Sequence, residues 1–227
     1  MHNTRLIVGF IALGIAAALP ATTSHAQADA EATRKGVALA KQGDYNGAAA
    51  EFSKAVKANP KNGNNYSNRG KAYRAAGKFA EAEDDFTKVI EIDAENAEAY
   101  SERGKARVSE KKYDKAIEDL TKAIELDDAI DSRRFLAFAY LSKGDHDKAI
   151  EEYSALIEKA PKDVEAHRRR GYAYVSKGDT EKAKEDFEMV LKAKPNDEDA
   201  ATRLKALDRK AGRPAASPAA EAKPGGG

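Results

Sequence analysis

The chain has 227 residues, with 39 Lys and Arg against 38 Asp and Glu, for a formal net charge of +1. That balance excludes a strongly basic nucleic-acid binder, and 34% charged residues beside 41% hydrophobic ones exclude a multi-span membrane protein. There is no Cys, which excludes disulfides, thiolate metal sites and thiol catalysis.

The N-terminus reads as an export signal. Arg5 is the only charge before an uncharged run from Leu6 to Leu19, which Pro20 ends. Ser24-His25-Ala26 and Ala26-Gln27-Ala28 both fit a small-x-small cleavage pattern, so residues 1–26 are expected to be removed, with cleavage after Ala28 as the alternative. The 14-residue run falls short of the roughly 20 residues a spanning helix needs, so no stable membrane span is expected once the signal is gone. The expected location is exported: periplasmic, or secreted.

A period of 34 residues follows. Gly36, Gly70, Gly104, Ala137 and Gly171 align at spacings of 34, 34, 33 and 34. Three further registers agree: Ala48, Ala82, Ala116, Ala149 and Ala183; Phe52, Phe86, Leu120, Tyr153 and Phe187; and a loop position at Gly43, Gly77, Lys111, Gly144 and Gly178. The units end at Pro60, Ala94, Asp128, Pro161 and Pro195. The pattern predicts a helix, a short turn and a second helix per unit. Small residues let the two helices approach, the large residue of the Phe register fills their seam, the loop Gly suits a left-handed helix end, and Pro cannot continue a helix. The third unit is one residue short at Leu126-Asp127-Asp128-Ala129. Residues 198–210 continue as an amphipathic helix with Ala201, Leu204 and Leu207 on its apolar face, which predicts a cap. Residues 211–227 are rich in Ala, Pro and Gly and are expected to be disordered.

This period, with Gly/Ala, Tyr, Ala, Phe and Pro at these offsets, resembles the tetratricopeptide repeat family. Tyr66-Ser67-Asn68-Arg69-Gly70-Lys71-Ala72-Tyr73 and Tyr100-Ser101-Glu102-Arg103-Gly104-Lys105-Ala106 look like the first helix of that repeat, and the segment from Ala116 to Leu126 like the second. Five units result, at 29–62, 63–96, 97–129, 130–163 and 164–197. The first is a weak outer unit, with Ala32, Lys35 and Leu39 where larger apolar residues or Tyr are usual. The resemblance implies an all-α, right-handed superhelical solenoid whose first helices line a concave groove. It implies a protein–protein interaction scaffold or adaptor of the cell envelope, not an enzyme, with no cofactor. A self-associating structural solenoid is the alternative, with the first unit as the candidate end.

By the same resemblance, the groove receives Asn64, Asn68, Lys71, Arg74, Lys105, Arg134, Phe135, Phe138, Arg168, Arg169 and Tyr172. With Arg34 and Lys41 from the first unit, its groove places hold eight basic residues against four acidic ones, Glu98, Glu102, Asp131 and Glu165. Aromatic and Arg side chains are usual anchors of binding hot spots, and Arg pairs with carboxylates in a bidentate way. The expected partner is an extended peptide with acidic and apolar residues. Packing at the short third unit is the competing role for Phe135 and Phe138. The Lys/Asn clamp that one variant of the family uses on a terminal carboxylate is missing, since the matching places hold Thr33, Ser67 and Ser101, and Val37, Lys71 and Lys105.

Other signals are weaker. Arg168-Arg169-Arg170 are successive on a helix and point in different directions, so no nucleic-acid patch is expected. His146 and His167 lack ligand spacing and are expected to face solvent, so no metal site is expected. Asp84-Asp85, Glu118-Asp119, Glu151-Glu152 and Glu185-Asp186 on second helices are expected to make the outer face acidic, with Asp84-Asp85 solvated and paired to Lys88. No phosphate loop or nucleophile elbow is present.

Overall fold

The computed structural model describes residues 21–211. The apolar run of the expected signal and the expected disordered tail beyond Ala211 lie outside the described residues. The described chain holds eleven helices and no strand: α1 Ala21–Lys41, α2 Tyr45–Ala58, α3 Gly63–Ala75, α4 Phe79–Ile92, α5 Ala97–Ser109, α6 Tyr113–Leu126, α7 Ile130–Lys143, α8 His146–Lys159, α9 Val164–Lys177, α10 Thr180–Ala193 and α11 Glu198–Ala211. Each helix packs on the next, giving five antiparallel pairs and a closing helix. The first helices of successive units also touch, α3 on α5, α5 on α7 and α7 on α9, more closely than the second helices do. The array therefore bends toward its first helices, which form the inner face.

The turns follow from residue chemistry. Gly43, Gly77, Gly144 and Gly178 adopt φ of 82, 77, 89 and 82°, and Lys111 takes the same left-handed conformation at 61°. Three of these are followed by an Asp (Asp44, Asp145, Asp179) whose carboxylate accepts a backbone N–H in the first turn of the next helix. The shortened link before α7 has Ala129 at the cap place, and no side chain caps that helix.

Between the two helices of each unit lie the Ala and Phe registers. Phe52, Phe86, Leu120, Tyr153 and Phe187 are buried, as are Ala48, Ala82, Ala116, Ala149 and Ala183. The approach requires small partners: a Cβ on Gly104 would lie 2.7 Å from Leu120 Cγ. In the fourth unit Ala137 stands in that role, in one cluster with Tyr153. The cap helix turns Ala200 and Leu207 into the core, with Leu204 half-buried. Ala201 is exposed, which corrects the expected apolar face by one residue.

A repeated ion pair joins the units. Arg69 donates from Nε and Nη2 to Asp85, at 2.8 and 2.6 Å, and from Nη1 to Ser53 Oγ of the preceding unit, at 3.3 Å. Arg103 does the same with Asp119 and Thr87, and Arg170 with Asp186 and Ser154. Asp85, Asp119 and Asp186 are buried, so one carboxylate of each of these adjacent pairs is not solvated as expected, and the outer face is less acidic than expected. Burial pushes the Asp85 carboxyl above its ordinary value despite Arg69. Lys88 pairs with Glu91, not with Asp84. The fourth unit lacks this tie. Leu136 occupies the Arg place and is buried, and Arg133, one turn earlier, reaches Glu152 at 2.5 Å and Asp128 at 2.9 Å.

His167 is buried, contrary to the expected solvent-facing ring. It takes the helical place of Tyr66 and Tyr100, with Nδ1 2.8 Å from Asp186 Oδ1 and Nε2 3.3 Å from the Pro161 carbonyl.

Candidate functional site: the inner face

The inner face is built from first helices because the groove places of α3, α5, α7 and α9 point away from the second helices. The groove cations that α3, α5, α7 and α9 supply are all paired. Arg74 reaches Glu102 at 2.8 Å. Glu102 also holds Lys105 at 2.8 Å, and Lys105 reaches Asp131 at 2.5 Å. Asp131 lies 3.4 Å from Arg134, which donates to Asp163 at 2.8 Å. The result is a ladder of alternating charge running from the second unit to the end of the fourth. Further along, Arg168 bridges Glu165 at 2.8 Å and Asp197, and Arg169 reaches Glu165 at 2.7 Å. Lys71 pairs with Glu98 at 2.7 Å.

Lys105 is buried, as are Ser101 and Glu102 beside it. These groove places are closed over at the centre of the array, where Ser132 Oγ donates to Ser101 Oγ at 2.9 Å. Burial pushes the Lys105 ammonium down, but its hydrogen bonds to Asp131 and Glu102 outweigh this and raise it above its ordinary value. Lys105 therefore ties α5 to α7 and lines a cavity of about 310 Å³ at the short third unit, together with Ala97, Glu98 and Ala129. At Asp163, burial acts upward, but the Arg134 hydrogen bond and the N–H groups of Ala166 and Glu165 hold the carboxyl below its ordinary value.

Two open clefts remain. The N-terminal one, about 600 Å³, is polar and includes Asn64, Asn68 and Lys71, with Arg34, Asn62 and Ser67. Asn65, at its floor, is buried and donates to the Ala55 carbonyl at 3.1 Å. The C-terminal cleft, about 230 Å³, lies between α7 and α9 and is lined by Arg134, Phe135, Phe138, Glu165 and Arg169. The Arg169 guanidinium carbon stands 4.7 Å from the Phe138 ring centre, and Lys105 Nζ 5.5 Å from that of Phe135. Both rings are half-buried, so each packs on the core with one side and meets the cleft with the other.

Tyr172 belongs to neither cleft. Its hydroxyl donates to Asp199, Arg203 stacks 4.3 Å from its ring centre, and its ring lies 5.7 Å from that of Phe187. It docks the capping helix.

The helical pattern missed Asp163 and Asp197, the carboxylates that meet Arg134 and Arg168, and Asp199, which meets Tyr172 and Arg203. They sit at helix N-caps or in the cap helix, off the wheel of the first helices. Among the described residues no group of three or more His, Cys, Asp or Glu could hold a metal ion, and no helix is long and apolar enough to cross a membrane.

Family profiles described as tetratricopeptide repeat match residues 31–62, 65–96, 97–128 and 136–198. A search among curated proteins finds no match. Among solved structures, MamA protein is similar with a TM-score of 0.70 at 30% identity, over 75% of this chain and 93% of that one. The structure of YrrB, described as a TPR protein with an unusual peptide-binding site, shares the fold with a TM-score of 0.69 at 22% identity, over 81% and 99%. The first TPR of Spaghetti (RPAP3), bound to the HSP90 peptide SRMEEVD, is similar with a TM-score of 0.50 at 29% identity, over 52% and 94%. With repeat profiles matching in all five units and a relative 30% identical across most of its own length, the chain belongs to the tetratricopeptide repeat family.

Proposed function

We propose that the protein is an exported interaction scaffold of the cell envelope that holds an extended segment of a partner protein along its inner face, without covalent chemistry. The observation that carries this reading is the aromatic cleft of Phe135 and Phe138, an open apolar site on a face whose other open cleft is polar. Because Arg134, Arg168 and Arg169 already hold Asp163, Asp197 and Glu165, the apolar part of the expected partner carries more weight than the acidic part. The Asn-rich cleft of the first two units offers amide donors and acceptors to peptide backbone. A relative of this chain holds a short peptide, which supports the mode and not the ligand. Export is supported by the start of the packed array: Ala26, Gln27 and Ala28 are exposed, and Asp29 is the first buried residue of α1 among those described.

The test is capture from an envelope extract on residues 27–227, read by mass spectrometry, beside a Phe138→Ala variant. A partner held by the natural sequence and lost by the variant, with little change in melting temperature, is the expected result. Equal capture by both would move the site off the aromatic cleft. No capture by either, with a dimer in sedimentation, would favour the self-associating solenoid. N-terminal sequencing of the protein from its host should begin at Gln27, and an intact Met1 would overturn the export reading.

A further inference from the structure

The fifth unit departs from its neighbours along one edge, where the link from α8 and the start of α9 meet the end of α10. In the second and third units, Lys88 and Lys122 on the second helix each pair with the Glu three residues on, at 2.6 Å to Glu91 and 3.2 Å to Glu125. The repeat register puts Met189 at the place of these lysines, and Lys192 at a place held by Glu91, Glu125 and Glu158 in the three units before it. The first helix changes with the second. Where those two units have Tyr66 and Tyr100, the fifth has the smaller His167, buried with Nδ1 2.8 Å from Asp186. A surface ion pair has thus become an exposed methionine and an exposed cation, beside a place that has lost its tyrosine ring.

The result is an apolar cavity of about 340 Å³, lined by Val164, Met189 and Ala193 beside His167, with Lys162 and Lys192 also in its wall. Val164 packs on the core of the fifth unit. None of the lining residues takes a groove place or lines a cavity of the inner face. Each of those inner-face cavities has a carboxylate in its wall, and this one has none. Lys162 and Lys192 have no ion-pair partner among the described residues, in contrast to the paired cations of α3, α5, α7 and α9. An apolar floor under unmatched positive charge fits a ligand that brings an apolar group and carboxylates together. Lysine stems can lie along apolar surface while their ammonium groups stay in water, and Met adapts its shape to what it covers.

We propose that this edge is a second docking site, apart from the inner face, for a short acidic segment of a partner protein. One apolar side chain of that segment sits among Val164, Met189 and Ala193, and carboxylates beside it meet Lys162 and Lys192. The site does not depend on the inner-face reading.

The test is a nuclear magnetic resonance titration of the mature, ¹⁵N-labelled chain with N-acetyl-Glu-Leu-Glu-amide, beside N-acetyl-Lys-Leu-Lys-amide. The acidic peptide should give saturable amide shifts at Val164, Met189, Lys192 and Ala193 and leave Phe135 and Phe138 unmoved. The basic peptide should give none. Lys192→Glu should weaken binding roughly three- to tenfold, and added salt should weaken it in the natural chain. Met189→Lys combined with Lys192→Glu gives the fifth unit the surface pair of the second and third. It should abolish binding and melt within about 2 °C of the natural chain, since both positions are exposed. No shifts with the acidic peptide, equal shifts with both peptides, or unchanged affinity in the variants would overturn the proposal. Shifts at Phe135 and Phe138 alone would overturn it while supporting the inner-face reading. Movement of the Met189 and Lys192 amides on dilution of the chain without peptide would make a second copy the occupant, and the partner segment would fall.

Discussion

The second, third and fifth units are alike at their junctions, and the fourth is not. In the first group an Arg followed by Gly spans two second helices, held by an Asp of its own unit and a hydroxyl of the one before. In the fourth unit the pair reads Leu136-Ala137, and the seam residue is Tyr153 with its unpaired hydroxyl. The same unit provides Phe135 and Phe138 to the aromatic cleft. The regular units spend their polar side chains on joining neighbours. The irregular unit joins the third through Arg133 and Asp128 instead of the shared tie, and it turns Phe135 and Phe138 to the groove. Departure from the repeat thus marks the place where the array is specialised.

The largest test of this contrast removes the tie itself. Asp119→Ala leaves the half-buried Arg103 and Arg107 without their shared carboxylate, with Glu83 still on Arg107, and should cost about 2–4 kcal/mol in urea unfolding. Glu152→Ala in the fourth unit should cost clearly less, because Arg133 keeps Asp128. Equal losses would show that the two junctions are energetically the same and sink the comparison.

A second test concerns the helix approach. Gly104→Ala places a methyl 2.7 Å from the branch carbon of Leu120, and should cost about 1–3 kcal/mol by overpacking. The fourth unit already carries Ala137 at this place and folds around it with Tyr153. A neutral Gly104→Ala would show that the spacing of the third unit relaxes as freely as that of the fourth.

The smallest effect separates the inner-face ladder from these buried ties. Asp163→Asn keeps a capping side chain but removes the charge that meets Arg134. With Arg134 part-exposed, the loss should be about 0.5–1 kcal/mol near pH 7. The folded carboxyl sits below its ordinary value, so its contribution is present above about pH 4 and fades as pH falls through the folded value. Melting curves of both proteins at pH 3 and pH 7 check this, and a difference that grows on acidification would contradict the assigned pairing.

Much of this was legible in the residues. The helix pairs, left-handed turns and small-residue seams follow from the period, because each is a local demand repeated five times. The Arg–Asp tie was also written there, as Arg69, Arg103 and Arg170 each followed sixteen residues later by Asp. It was hidden by a helical-surface rule that treats adjacent carboxylates as solvated, when one of the two points inward. His167 misled for the same reason, since its place in the array is that of the half-buried Tyr66 and Tyr100. The charge state of the groove was legible only in part, through Glu98, Glu102, Asp131 and Glu165. The rest depends on Asp163 and Asp197, which enter from helix caps and meet Arg side chains 29 residues away in sequence.

The alternating ladder from Arg74 to Asp163 also has a mechanical meaning. Its outer rungs, Arg74 with Glu102 and Arg134 with Asp163, carry part-exposed guanidinium groups that salt screens, whereas Lys105 at its centre is buried and screened far less. Added salt should therefore loosen the ends of the ladder before its middle.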